Sequence, residues 1–230
     1  MAVWTIEIVN GGAKARSYAL LPAPPDVTLD GAPVAVWPAV CAPFDYVEPN
    51  EPRTTTFSEA VQALIAFPAK VEVDRVIKGP FTAPVNPLAR DLVTITHMDD
   101  HGGVRDFAHD LASGAAEPGH FAIRTKADFP GGYGPEGDGP EVDGVVLGMT
   151  KQIDSNEPVP AAVFTARPHV TYQIRPRPVF HLVEGRYVRG KVLDLSARGG
   201  AVIDFTGRER AKATVVHAAD GGFSVSYEAI

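Results

Sequence analysis

The sequence predicts an all-β fold, a β-sandwich or barrel-like set of antiparallel sheets with about 10–13 short strands and one or two short helices. Two observations lead there. Glycine and proline, 22 and 21 of the 230 residues, fall as punctuation between short apolar segments, the pattern of many strands joined by turns. Those segments mostly alternate apolar and polar residues, and no strand–helix–strand rhythm appears.

In chain order, Trp4, Ile6 and Ile8 alternate with Thr5, Glu7 and Val9, Asn10-Gly11-Gly12 supplies turn residues, and Ser17 to Leu21 resumes, which predicts an opening hairpin. Pro22, Pro24 and Pro25 close that strand, Asp30-Gly31 marks a turn, and Val34 to Val40 reads as a third strand whose Pro38 suits an edge or a bulge. Residues 54–67 fit either a helix capped by Ser58 or an irregular strand carrying Phe57, Val61, Ile65 and Phe67; the strand is preferred. Val71, Val73, Val76 and Ile77 begin a further β region, and Leu92 to Thr96 is β-branched enough for a central strand. Val104, Phe107, Ala108 and Leu111 recur at helical spacing, which predicts one short helix.

Strand character returns over 121–129, 145–149 and 161–165. Between them, 130–144 carries six glycines and three prolines, and 128–143 holds five acids and no base, an acidic loop inside a single domain spanning 1–230. From His169 to His181 the alternation is clean, but Pro176 and Pro178 cannot donate to a ladder, so this strand belongs at an edge or runs as polyproline. Ala201 to Phe205, Ala211 to His217 and Phe223 to Tyr227 follow, the last two forming a hairpin around Asp220-Gly221-Gly222.

Trp4-x-Ile-x-Ile-x-Asn10, Tyr18-Ala-Leu, Pro24-Pro25 and Ile203-Asp-Phe-Thr-Gly207 resemble a group of uncharacterised all-β proteins of fungi and actinobacteria. The resemblance covers the two ends of the chain. It implies the fold and brings no activity.

Composition narrows the partners. A net charge of −7 argues against nonspecific nucleic-acid binding, and no run approaches the roughly 20 apolar residues of a membrane helix. The single cysteine, Cys41, excludes an internal disulfide and sits among apolar neighbours as a structural thiol. The first nine residues lack the features of a secretory leader, so the expected location is cytoplasmic.

Two polar constellations could carry chemistry. Thr96-His97-Met98-Asp99-Asp100-His101-Gly102-Gly103, with His109 beyond, places three of seven histidines within thirteen residues. His97, Asp99, His101 and His109 form a donor set suited to a divalent metal. The string resembles the signature of metallo-β-lactamase-type hydrolases, but the second histidine is missing and the spacing is two residues shorter, which removes the three-histidine site. The same residues make good turn chemistry without any metal.

The second constellation is the polar side of the 169–181 strand, where His169, Arg175, Arg177 and His181, with Gln173, could hold a carboxylate or phosphate. From Arg167 to Lys191 six basic residues face one acid, Glu184. Two functional expectations result. The first is a soluble binding protein for a small organic or anionic ligand, or for a second copy of itself; the alternative is a metal-dependent enzyme around residues 97–109.

Overall fold

The computed structural model describes residues 2–66, 71–78, 81–98, 106–126 and 145–230, with the side chains of 97–98, 106–108 and 155–157 excepted. All regular elements among them are strands. The first six are β1 Val3–Asn10, β2 Arg16–Pro22, β3 Asp26–Leu29, β4 Ala32–Pro33, β5 Trp37–Pro38 and β6 Ala42–Val47. Then come β7 Arg53–Ala66, β8 Phe81–Val85, β9 Leu92–Met98, β10 Asp106–Ala112, β11 Phe121–Thr125 and β12 Val146–Ile153. The last six are β13 Ser155–Thr165, β14 Thr171–Arg175, β15 Val179–Glu184, β16 Gly200–Asp204, β17 Arg210–His217 and β18 Phe223–Ala229.

The long strand β7 organises the rest. Its β-branched residues favour extended backbone, and Thr55, Phe57, Val61, Ala63 and Ile65 bury one face at a period of two. At about 3.3 Å per residue its 14 residues reach about 46 Å. That is long enough to serve two cores. The eight-stranded sheet runs β18-β17-β1-β7-β12-β13-β5, with β8 also on β7.

Two smaller sheets cover its inner face side by side. The six-stranded sheet, β10-β9-β11-β14-β3-β4, encloses Val93, Ile95, Phe121, Ile123, Tyr172 and Ile174 against Val61, Ala63, Ile65, Leu147, Met149 and Phe164. The four-stranded sheet, β16-β15-β2-β6, encloses Tyr18, Leu20, Phe180, Leu182 and Ile203 against Trp4, Ile6, Ile8, Phe57, Ile153 and Val215. One continuous strand, β7, therefore gives Phe57 to one core and Val61 to the other. Pairing is antiparallel except for β1–β17 and β9–β11.

Close packing sets one glycine. Gly148 on β12 pairs with Val163, and a Cβ there would run into the carbonyl oxygen of Ala162. The register shifts one residue later, between Met149 and Thr150, as a bulge does.

Several expectations change. The opening hairpin is absent: β1 is flanked by β17 and β7, and β2 by β15 and β6. Asn10 explains the departure, because its amide donates to the carbonyls of Lys14 and Val47 while its oxygen accepts from the Gly12 amide, steering the chain into another sheet. The short helix expected from Val104, Phe107, Ala108 and Leu111 is also not found; 106–112 is β10, paired antiparallel with β9 from Asp106↔Met98 to Ala112↔Leu92. Sheet pairing overrides a few apolar residues at helical spacing. In 71–77 only the isolated Val76↔Lys191 bridge forms.

The run from His169 to His181 is two strands in two sheets, β14 and β15, each with neighbours on both sides. Pro176 and Pro178 fall between them, where no ladder needs their missing N–H. Among strands expected from sequence, β7, β9, β11, β12, β13 and the β17–β18 hairpin are present, and β5 with Pro38 sits at a sheet edge. The acidic segment 130–144 lies outside the described residues.

Candidate functional site

A cleft of about 990 Å³ opens where the two cores part. Its position follows from the pairing of β7. Arg53 to Ser58 pair with β1, and Val61 to Ile65 pair, on the same edge, with β8. Glu59 and Ala60 lie at the fork, where β1 begins and β8 ends, and both line the cleft.

Above the fork the two covering sheets also separate. Their connection, Pro176-Arg177-Pro178, runs from β14 to β15 along the cleft wall. The β16–β17 connection and the first residue of β17 supply another wall: Phe205, Gly207, Arg208, Glu209 and Arg210. This turn is held by Phe205 N–H donating to the Pro178 carbonyl at 2.9 Å and Arg208 N–H donating to the Phe205 carbonyl at 2.9 Å. Gly207 takes φ 74°, a conformation that suits a residue without Cβ.

The floor combines aromatic rings with one amine. Trp4 and Phe205 stack with centroids 5.7 Å apart, and the Trp4 indole N–H donates to the Arg208 carbonyl at 2.7 Å. Lys151 lies on β12 in the inward row Leu147, Met149, Lys151, Ile153, between the two cores. Its side chain is 2% exposed, and it is the only buried lysine or arginine among the described residues. The ammonium Nζ donates to the Ser58 carbonyl at 3.3 Å and sits 5.7 Å from the Trp4 ring centroid. Burial pulls its pKa from 10.5 down to about 8, with Cys41 and then Glu59 acting in the opposite direction.

Around that floor the charge is positive. Arg177, Arg208, Arg210 and Lys151 face Glu59 and Glu209. The Arg208 guanidinium lies 4.4 Å above the Tyr227 ring, a cation–π contact that fixes its direction. The Glu59 carboxylate accepts from the Ala2 amide at 3.1 Å. Four cationic side chains against two carboxylates give the lining an excess of positive charge, on a chain whose net charge is −7.

Family models, curated proteins and solved structures give no match to this chain. The site therefore rests on its own geometry.

Of the anion-binding residues expected from sequence, Arg177 alone lines the cleft. Arg175 ends β14, exposed and paired in register with Asp26 of β3. His169 is exposed in the turn before β14 with φ 55°. His181 lies on β15 opposite Leu21 and Val202, half-buried, its pKa lowered by burial and by Arg177. The structure thus separates the four: Arg175 and His181 lie in different sheets, His169 in a turn and Arg177 in the connection between β14 and β15.

Of the metal-binding candidates, Asp99 and His101 lie outside the described residues, and for His97 only its place on β9, opposite Phe107, is described. His109 is exposed on β10 and meets the Phe81 ring edge-on at 5.3 Å. Among the described residues no group of three His, Cys, Asp or Glu side chains is placed to hold a metal. No helix among them is long and apolar enough to cross a membrane.

A second polar cluster closes the opposite end of β1 and β17. His217 is buried beside Tyr18, whose hydroxyl lies 3.0 Å from Nδ1, and Arg16, whose Nη1 lies 2.8 Å from Nε2. The ring stacks on Phe223 at 4.0 Å. Burial and the Arg16 charge lower the His217 pKa. Seven residue steps along the β1–β17 ladder, about 23 Å at 3.3 Å each, separate this cluster from the cleft.

Sequence reasoning missed Lys151 and the Arg208 to Arg210 turn. A signal existed for the first: Lys151 continues the inward alternation of Leu147 and Met149, an unusual place for a lysine.

Proposed function

We propose that this chain is a binding protein for a small organic anion, held in the cleft between the two cores. The observation that carries the reading is convergence: Arg177 from one connection, Arg208 from another and Arg210 from the start of β17 line the same cleft as a buried lysine and the stacked Trp4 and Phe205. Guanidinium groups pair with carboxylate or phosphate through fixed, planar donors. Aromatic rings take an apolar body by area and stacking. The volume falls in the range of small-molecule sites, about 300–1,000 Å³.

The test is thermal unfolding of the full chain with mandelate, phenyl phosphate and neutral benzyl alcohol. Ligand at 100 times its Kd adds about 2.7 kcal/mol of stability, so the two anions raise Tm and the alcohol does not. Arg177→Ala combined with Arg210→Ala removes the shift; both residues are exposed, so the variant keeps its own Tm within a few degrees. An unchanged shift in that variant, or no shift with either anion at millimolar concentration, overturns the reading.

A further inference from the structure

Lys151 is not needed to build either core. It occupies an inward position between Met149 and Ile153, which belong to different cores, and a methionine there would fill the same space at no cost in desolvated charge. What distinguishes the lysine is its amine. No carboxylate among the described residues lies within ion-pairing distance, and one carbonyl, that of Ser58, accepts from its three N–H groups. Lys151 lines the cleft, its amine 5.7 Å from the Trp4 ring centroid, and Arg177, Arg208 and Arg210 line the same cleft. A buried amine beside an aromatic ring, in the lining of a cleft and free of a fixed counter-ion, has the surroundings of a nucleophile.

We infer that Lys151 forms a reversible imine with the carbonyl group of an oxo acid seated in the cleft, the arginines taking the carboxylate and Trp4 and Phe205 the apolar body. This rests on the anion-binding reading above and names its ligand class. The unprotonated Nζ adds its lone pair to the carbonyl carbon, the C–O π bond breaks, and a proton passes from the nitrogen to the oxygen to give a neutral carbinolamine. The hydroxyl then leaves as water with one proton from solvent. The nitrogen lone pair closes the C=N bond of a protonated imine, and water reverses both steps. No electron transfer or further reagent enters.

Phenylglyoxylate and mandelate separate this inference from the reading beneath it, because they share ring and carboxylate while only the first has a carbonyl. The full chain is incubated with phenylglyoxylate and cyanoborohydride, which reduces the imine to a stable amine, and the modified peptide is mapped by mass. At a pKa of about 8 instead of 10.5, Lys151 carries on the order of a hundred times more free amine near neutral pH than a surface lysine. The expected result is one adduct at Lys151, formed on the order of ten times faster than at any other lysine. Its rate has an inflection near pH 8, and mandelate suppresses it. The pH profile needs no variant; Lys151→Arg and Lys151→Met, two replacements of different charge, abolish the adduct. Labelling spread over surface lysines while mandelate still raises Tm overturns the imine and leaves the anion site. Selective labelling of Lys151 without a mandelate shift overturns the anion site and leaves the amine.

Discussion

Burying a charge leaves a thermodynamic mark that Lys151 should show. In the unfolded chain its amine titrates at 10.5; in the folded chain burial holds it at about 8. Between those values the unfolded state keeps a proton that the folded state has released, so stability rises with pH across that window. At about 1.4 kcal/mol per pH unit, the full difference is about 3 kcal/mol, of which about 1.4 kcal/mol arrives between pH 7 and pH 9. Below pH 7 the charged amine weighs on the fold by the whole amount.

Lys151→Met retains the stem and removes the charge. Urea unfolding of both proteins at pH 7, 8 and 9 isolates the effect, because every other titrating group cancels in the difference. The variant is expected to be the more stable at pH 7, reduced somewhat by the Ser58 carbonyl that loses its donor. Its advantage over the wild type should shrink by about 1.4 kcal/mol by pH 9. A difference that stays constant across that range would show that Lys151 is solvated in the folded state and would refute the reasoning.

Three further outcomes test the rest of the structure. Phe180 is fully buried, 4.7 Å from Phe57 and 6.1 Å from Phe205; Phe180→Ala should cost about 3–5 kcal/mol in urea unfolding, and a loss under about 1 kcal/mol would mean the four-stranded sheet does not close on β7 there. His217 has a lowered pKa, so its unfolded form takes up a proton first and stability falls as pH drops below 6.5; His217→Gln should flatten the wild-type slope between pH 7 and pH 5, and an unaltered slope would contradict its burial beside Arg16. The Cys41 thiol, donating to the Leu20 carbonyl at 3.1 Å and pushed up to about 12 by burial, should resist a disulfide reagent at pH 8 until urea unfolds the chain, which absorbance at 412 nm follows.

Local pattern was enough for the fold class and for most single strands. Alternation in Trp4 to Ile8, β-branching in Leu92 to Thr96 and the turn at Asp220 to Gly222 each act within a few residues, so each is readable without knowing the partner strand. The same reasoning mistook 106–111 for part of a helix, because local spacing contains nothing of the β9 edge waiting to pair. It also joined β1 to β2, and joined 169–181 into one strand, since which sheet a strand enters depends on residues far along the chain.

The candidate site divides the same way. That Arg177 stands between two prolines, and that Lys151 interrupts an inward apolar row, are facts of sequence. That they face one cleft with Arg208, Arg210 and Trp4 was decided only by tertiary structure: β7 exchanges β1 for β8 along one edge while two smaller sheets part above that fork. Strand pairing over separations of up to about 200 residues, as between Trp4 and Ala211, sets that geometry. The short-range propensities that make each strand are blind to it.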